Sequence, residues 1–124
     1  MDCRKILELA RNLVVQNYSK LTREIILDKE RPVLKIVFNF EVILYIRFND
    51  FGEYSYSVIF TPNPDDQMRF DNYDDRWDVN TRPHHFHIRG LKSTIESPML
   101  GEPNHDIPIL LRMILDHSKP FHEE

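Results

Sequence analysis

The chain has 124 residues, 41% of them hydrophobic and 29% charged, with a formal net charge of −4 and one cysteine. This length fits a single domain over residues 1–124, large enough to bury a core without a disulfide or a structural metal. The lone Cys3 excludes an internal disulfide, no apolar run approaches the roughly 18 residues of a membrane helix, and the acidic balance argues against attraction of the whole surface to nucleic acid.

The N-terminal Met-Asp-Cys-Arg-Lys leads into an amphipathic stretch rather than the continuous apolar core of a signal peptide, so a soluble cytoplasmic protein is expected. Residues 4–17 predict a helix: Ile6, Leu9, Ala10, Leu13 and Val14 form an apolar stripe, and Asp2 is placed to cap it. Residues 22–28 predict a strand, and 29–32, ending in Pro32, a turn. From 33 to 48 the chain is rich in β-branched and aromatic residues. Leu34, Ile36, Phe38 and Phe40 alternate with less apolar positions, as do Val42, Leu44, Ile46 and Phe48, which predicts two strands with a reversal near 39–41. Asn49-Asp50-Phe51-Gly52 marks a turn, and 54–61 a strand with Tyr54, Tyr56, Val58 and Phe60 on the core face.

Thr61-Pro62-Asn63-Pro64-Asp65-Asp66 predicts a loop, 67–73 an extended segment, 74–83 a polar loop holding Trp77, and 84–89 a short strand. Residues 90–103 read as loop. A helix over about 106–117 presents Ile107, Leu110, Leu111 and Ile114, with Asp106 as its cap and Pro108 in its first turn, and 118–124 read as a frayed tail. The expected architecture is α+β: a mostly antiparallel sheet of about five to six strands, flanked by an N-terminal and a C-terminal helix on one face.

Three of the six histidines fall within four residues, at His84, His85 and His87. On a strand His85 and His87 share one face, while His84 and Phe86 point to the other. Two same-face imidazoles suit acid–base work on a phosphodiester, neutral-ligand binding of a metal, or, when protonated, phosphate binding assisted by Arg82 and Arg89. They can also simply hydrogen-bond loop backbone. A loop of roughly ten residues joins the preceding strand to this one, so Asp71 is placed to orient an imidazole or to serve as a third metal ligand. Arg69, Asn72 and Trp77 complete the candidate substrate-binding set, with Trp77 and Tyr73 as a stacking surface or as loop anchors. Asp71, Asp74, Asp75 and Asp78 lack the spacing of a calcium loop, and interleaved arginines predict salt bridges across a solvated loop. A phosphate-binding glycine loop, a cysteine pair for zinc and a nucleophile elbow are all missing.

The strings Tyr54-Ser55-Tyr56, Asp71-Asn72 and Thr81-x-Pro83-His84-His85-x-His87 resemble the TumE family of small toxin-like proteins from prokaryotic toxin–antitoxin pairs. The likeness spans about residues 33–90, and the leading helix also fits. Members often carry His-His soon after Asp-Asn, where this chain has Tyr73-Asp74-Asp75, and the extension after Gly90 is longer here. The resemblance implies a toxin held inactive by a cognate antitoxin. Joined to the histidine cluster, it gives a first expectation of an RNA-directed toxin using His85, His87, His84 and Asp71, without a cofactor. A second is a hydrolase with Zn or Mn on His85, His87 and Asp71. The third is a non-enzymatic interaction module. Self-association through a sheet edge is a further expectation.

Overall fold

The computed structural model describes residues 2–73 and 76–118. Its first element, α1, runs Cys3–Tyr18, with the Asp2 carboxylate accepting from the Arg4 amide at 3.0 Å as expected of a cap. The buried stripe is Cys3, Leu7, Ala10 and Val14. Leu7 therefore takes the central place that the sequence pattern gave to Leu9, which is 40% exposed. The reason is spacing: 3-7-10-14 is the narrower 3.5-residue seam, and Ile6 and Leu13 pack at its margin.

Seven strands follow: β1 Thr22–Asp28, β2 Val33–Phe38, β3 Ile43–Phe48, β4 Tyr54–Ile59, β5 Gln67–Asp71, β6 His85–His87 and β7 Thr94–Glu96. They form one antiparallel sheet in chain order. The count exceeds the expected five to six because β7 lies in the stretch read as loop. Its three residues are too few to show a period, and their strand geometry comes from pairing with β6. The reversal between β2 and β3 has no glycine because Glu41 itself adopts φ 70°.

α2 spans Pro103–His117, starting three residues before the expected boundary, with Pro103 in the first turn and Pro108 inside the helix rather than in its first turn. Asp106 does not occupy the cap position. Its buried carboxylate instead reaches back to the amides of Leu100, Gly101 and Glu102 at 2.9, 2.8 and 3.1 Å and accepts the Tyr56 hydroxyl at 2.6 Å. Gly101, at φ 83°, lets the chain cross the Tyr54 ring, which an added Cβ would meet at 3.0 Å. Of the tail expected to fray over 118–124, Ser118 caps α2 with its amide on the Ile114 carbonyl at 2.9 Å, and 119–124 lie outside the described residues, as do the ion pairs expected of Asp74 and Asp75.

Both helices pack on one face of the sheet. The core joins Leu7, Ala10 and Val14 of α1 and Ile107, Leu110, Leu111 and Ile114 of α2 to Leu34, Ile36, Leu44, Ile46, Tyr54, Tyr56, Val58, Met68, Phe70 and Phe86. Burying such a set supplies the main folding drive, at roughly 25 cal/mol per Å² of apolar surface. Strand alternation puts Ser55, Asp71 and His85 in register on the opposite face, with Ser57, Arg69 and His87 in the next row. Among the described residues, no helix is long and apolar enough to cross a membrane.

Candidate active site

The site forms where β5 meets β6. On the helix side, Phe70 and Phe86 stack with ring centres 4.3 Å apart and planes 7° apart. This pair fixes the register Asp71↔His85 and Arg69↔His87 on the other face. The expected adjacency of Asp71 and the histidine strand is thus observed.

Asp71 is 1% exposed, and its carboxylate is met from three sides. His85 Nε2 lies 2.6 Å from Oδ1, Arg69 Nε donates to Oδ2 at 2.6 Å, and His87 Nε2 stands 3.6 Å from Oδ2. Burial works to raise the Asp71 pKa. His87, His85 and Arg69 outweigh it and hold the carboxyl below its ordinary value.

The two histidines differ in access. The His85 ring is buried, with Nδ1 3.0 Å from the Pro83 carbonyl. A carbonyl only accepts, so Nδ1 carries a proton, and one further proton is shared between Nε2 and Asp71. His87 keeps 20% of its side chain exposed, and its Nε2 lies 3.1 Å from Arg69 Nη2. Guanidinium only donates, so this nitrogen presents its lone pair. Trp77 closes one flank, with its ring 5.7 Å from His85 and 5.6 Å edge-on to His87.

Other predicted residues take different places. His84 sits on the helix side, its Nδ1 3.0 Å from the Tyr54 hydroxyl, apart from His85 and His87. Burial first, then Asp106 and Asp71, push the Tyr54 phenol well above its ordinary pKa, so it stays protonated. Asn72 is spent on structure: its Oδ1 accepts from the Tyr54 amide at 2.9 Å and its Nδ2 donates to the Gly52 carbonyl at 3.0 Å. Arg89 is away from the cluster. It pairs with Asp66 at 2.6 Å, donates to the His117 carbonyl at the end of α2, and lies over the Phe60 ring. Arg82 is exposed on the rim, without an ion pair among the described residues. Thr81 fastens the segment: its hydroxyl donates to the His84 carbonyl at 2.6 Å and accepts from Ser97 N at 3.0 Å.

Sequence reasoning passed over Ser55, the buried cross-strand neighbour of Asp71. Its alternation with Tyr54 and Tyr56 was the available signal. The aggregate offers an oriented carboxylate, a part-exposed imidazole whose lone pair accepts from Arg69, and that guanidinium within one contact network.

Ligand atoms of Asp71, His85 and His87 also lie within 4.8 Å of one another. A His85 that gives Nδ1–H to a backbone carbonyl is arranged as metal-binding histidines commonly are. A cation there would displace the shared proton and part of Arg69's hold. Two imidazoles and a carboxylate suit Zn or Mn.

No curated protein and no solved structure matched the chain. The sequence profile of the family described as toxin TumE matches residues 6–117, which takes in both helices and every strand of the sheet. With nearly its whole length inside that profile, the chain belongs to the toxin TumE family.

Proposed function

We propose that this protein is the toxin of a toxin–antitoxin pair and acts on RNA at the β5–β6 site. The observation that carries the reading is the contact network of Arg69, Asp71, His85 and His87 on the sheet face that the helices leave open. His87 is the proton-transfer group, because its ring is part-exposed and its Nε2 lone pair is covered only by Arg69, which can swing away, whereas both His85 nitrogens are engaged in the buried network. Asp71 and His85 form the buried base on which that group is held. Arg69, half-exposed at 47%, can leave its contacts to take a phosphate oxygen. Arg82 on the rim adds positive charge for approach. The family supports a cognate antitoxin, and in this reading the antitoxin covers this face until release.

The test is expression in a bacterial host of the wild type and of His87→Ala and His85→Ala, with growth and total RNA followed together. Growth arrest with RNA loss in the wild type alone supports the reading. Arrest and RNA loss undiminished in a soluble, folded His87→Ala protein would sink it.

A second reading has its own observation, the three convergent ligand atoms. In it, Asp71, His85 and His87 hold Zn²⁺ or Mn²⁺, which would supply an activated water. Elemental analysis of protein purified without a histidine tag decides it: about one metal per chain supports it, and none removes it.

A further inference from the structure

Beside Arg69 and His87 lies a half-open cavity of about 200 Å³. Its walls are Pro64, Ile88 and Leu91, and its polar lining is Asp65 and Gln67. Leu91 is 61% exposed and stands outside the core cluster.

We infer that this cavity is a nucleobase subsite of the RNA site proposed above, and that it selects bases carrying an exocyclic amine. The size comes first. Pockets for drug-sized ligands run to roughly 300–1,000 Å³, so this one suits a single ring system. The lining then sets the chemistry. The Gln67 amide donates through Nε2 to the Pro64 carbonyl at 2.7 Å, which fixes its orientation and leaves Oε1 as a free acceptor. The Asp65 carboxylate has no hydrogen-bond or ion-pair partner among the described residues, and it too only accepts. Two acceptors above apolar walls disfavour a phosphate and leave a purely aliphatic group with nothing to offer them. A flat ring with an N–H edge satisfies both. Guanine, adenine and cytosine present an amine with two N–H donors, one for each acceptor; uracil offers only its single N3–H.

The placement also fits. A base seated between Pro64 and Leu91 puts its attached phosphate toward Arg69 and His87, with the next nucleotide toward Trp77. Asp65 and Gln67 are specificity groups in this arrangement, not catalytic residues.

The inference rests on the RNA reading but is tested apart from it. The full chain is titrated calorimetrically with the 3′-monophosphates of guanosine, adenosine, cytidine and uridine, then repeated with Gln67→Leu and Asp65→Ala. Both positions are exposed, so the variants are expected to fold, which a thermal melt verifies. At least one amine-bearing nucleotide should bind about tenfold tighter than uridine monophosphate, and each variant should reduce that preference several-fold. Equal affinity for all four, no binding of any, or a preference that survives both substitutions would overturn the subsite. Preferential binding lost in the variants, with no RNA cleaved by the wild type, would uphold the subsite and remove the proposed reaction. RNA cleavage with base preference unaltered in both variants would do the reverse.

Discussion

Among the described residues two carboxylates are almost fully buried, Asp71 on the open face of the sheet and Asp106 beneath it, and they are solvated in opposite ways. Asp106 is held by three backbone amides, the Tyr56 hydroxyl and His105 Nδ1 at 2.8 Å. Most of these donors are fixed by the path of the chain. The Tyr56 phenol, raised by burial first and by Asp106 second, does not ionise near neutrality. Asp71 is met by the side chains of Arg69, His85 and His87 rather than by backbone, and two of these, Arg69 and His87, reach solvent. A buried charge enclosed by amides pins a loop. One enclosed by side chains that reach solvent can exchange protons and receive a ligand.

The sharpest way to break this contrast is to neutralise each carboxylate in turn. His87→Ala, which removes the accessible end of the Asp71 network, should lower RNA-directed activity by about 10²–10⁴-fold with little change in melting temperature. Asp71→Asn should follow it in activity. If Asp71→Asn instead unfolds the protein as readily as a change at Asp106 and leaves activity per folded molecule intact, the two sites are alike and Asp71 is structural.

Asp106→Ala should cost about 3–5 kcal/mol of stability, since it leaves several buried donors without an acceptor. The apparent Tm should then fall by roughly 10 °C or more. Tyr56→Phe removes one charge-assisted hydrogen bond from the same cluster and should cost about 1.5–3 kcal/mol by denaturant titration. A neutral outcome would mean that the amides alone suffice.

The smallest effect concerns pH. The Arg89 hydrogen bond lowers the Asp66 pKa in the folded chain. A group with a lowered folded value contributes stability above its unfolded pKa, near 4, and loses it as pH falls through the folded value. The pair is partly exposed, so about 1 kcal/mol or less is expected. The melting temperatures of wild type and Asp66→Asn should differ at pH 7 and converge in acid. A gap that widens in acid would contradict the assignment.

Most of the fold was legible because its signals are local. The alternation at Leu34, Ile36 and Phe38 and at Tyr54, Tyr56 and Val58 marks strands with one buried face, and Asp2 marks the start of α1. Features supplied by tertiary contact were not. β7 exists because β6 offers it an edge, and Glu41 makes a turn that usually calls for glycine. The pairing of Asp71 with His85 could be anticipated from a short connection between adjacent strands. That His85 would be buried with both nitrogens engaged could not, because it depends on the Pro83 carbonyl and on Trp77 closing the flank. Arg89 looked like a phosphate ligand beside the histidines. Its partners Asp66 and His117 are 23 and 28 residues away along the chain, beyond the reach of a local pattern.

The sheet order, β1 through β7 without a crossover, has a consequence for how the molecule comes into being. Each strand pairs with the one made just before it, so a chain leaving the ribosome can add to the sheet one hairpin at a time. The site needs β5, the long loop and β6, and the segment leading into β6 is fastened only when Ser97 binds Thr81. An unfinished chain thus holds most of the scaffold before it holds the chemistry, and the candidate site is completed only once β6 and the segment carrying Ser97 have been made.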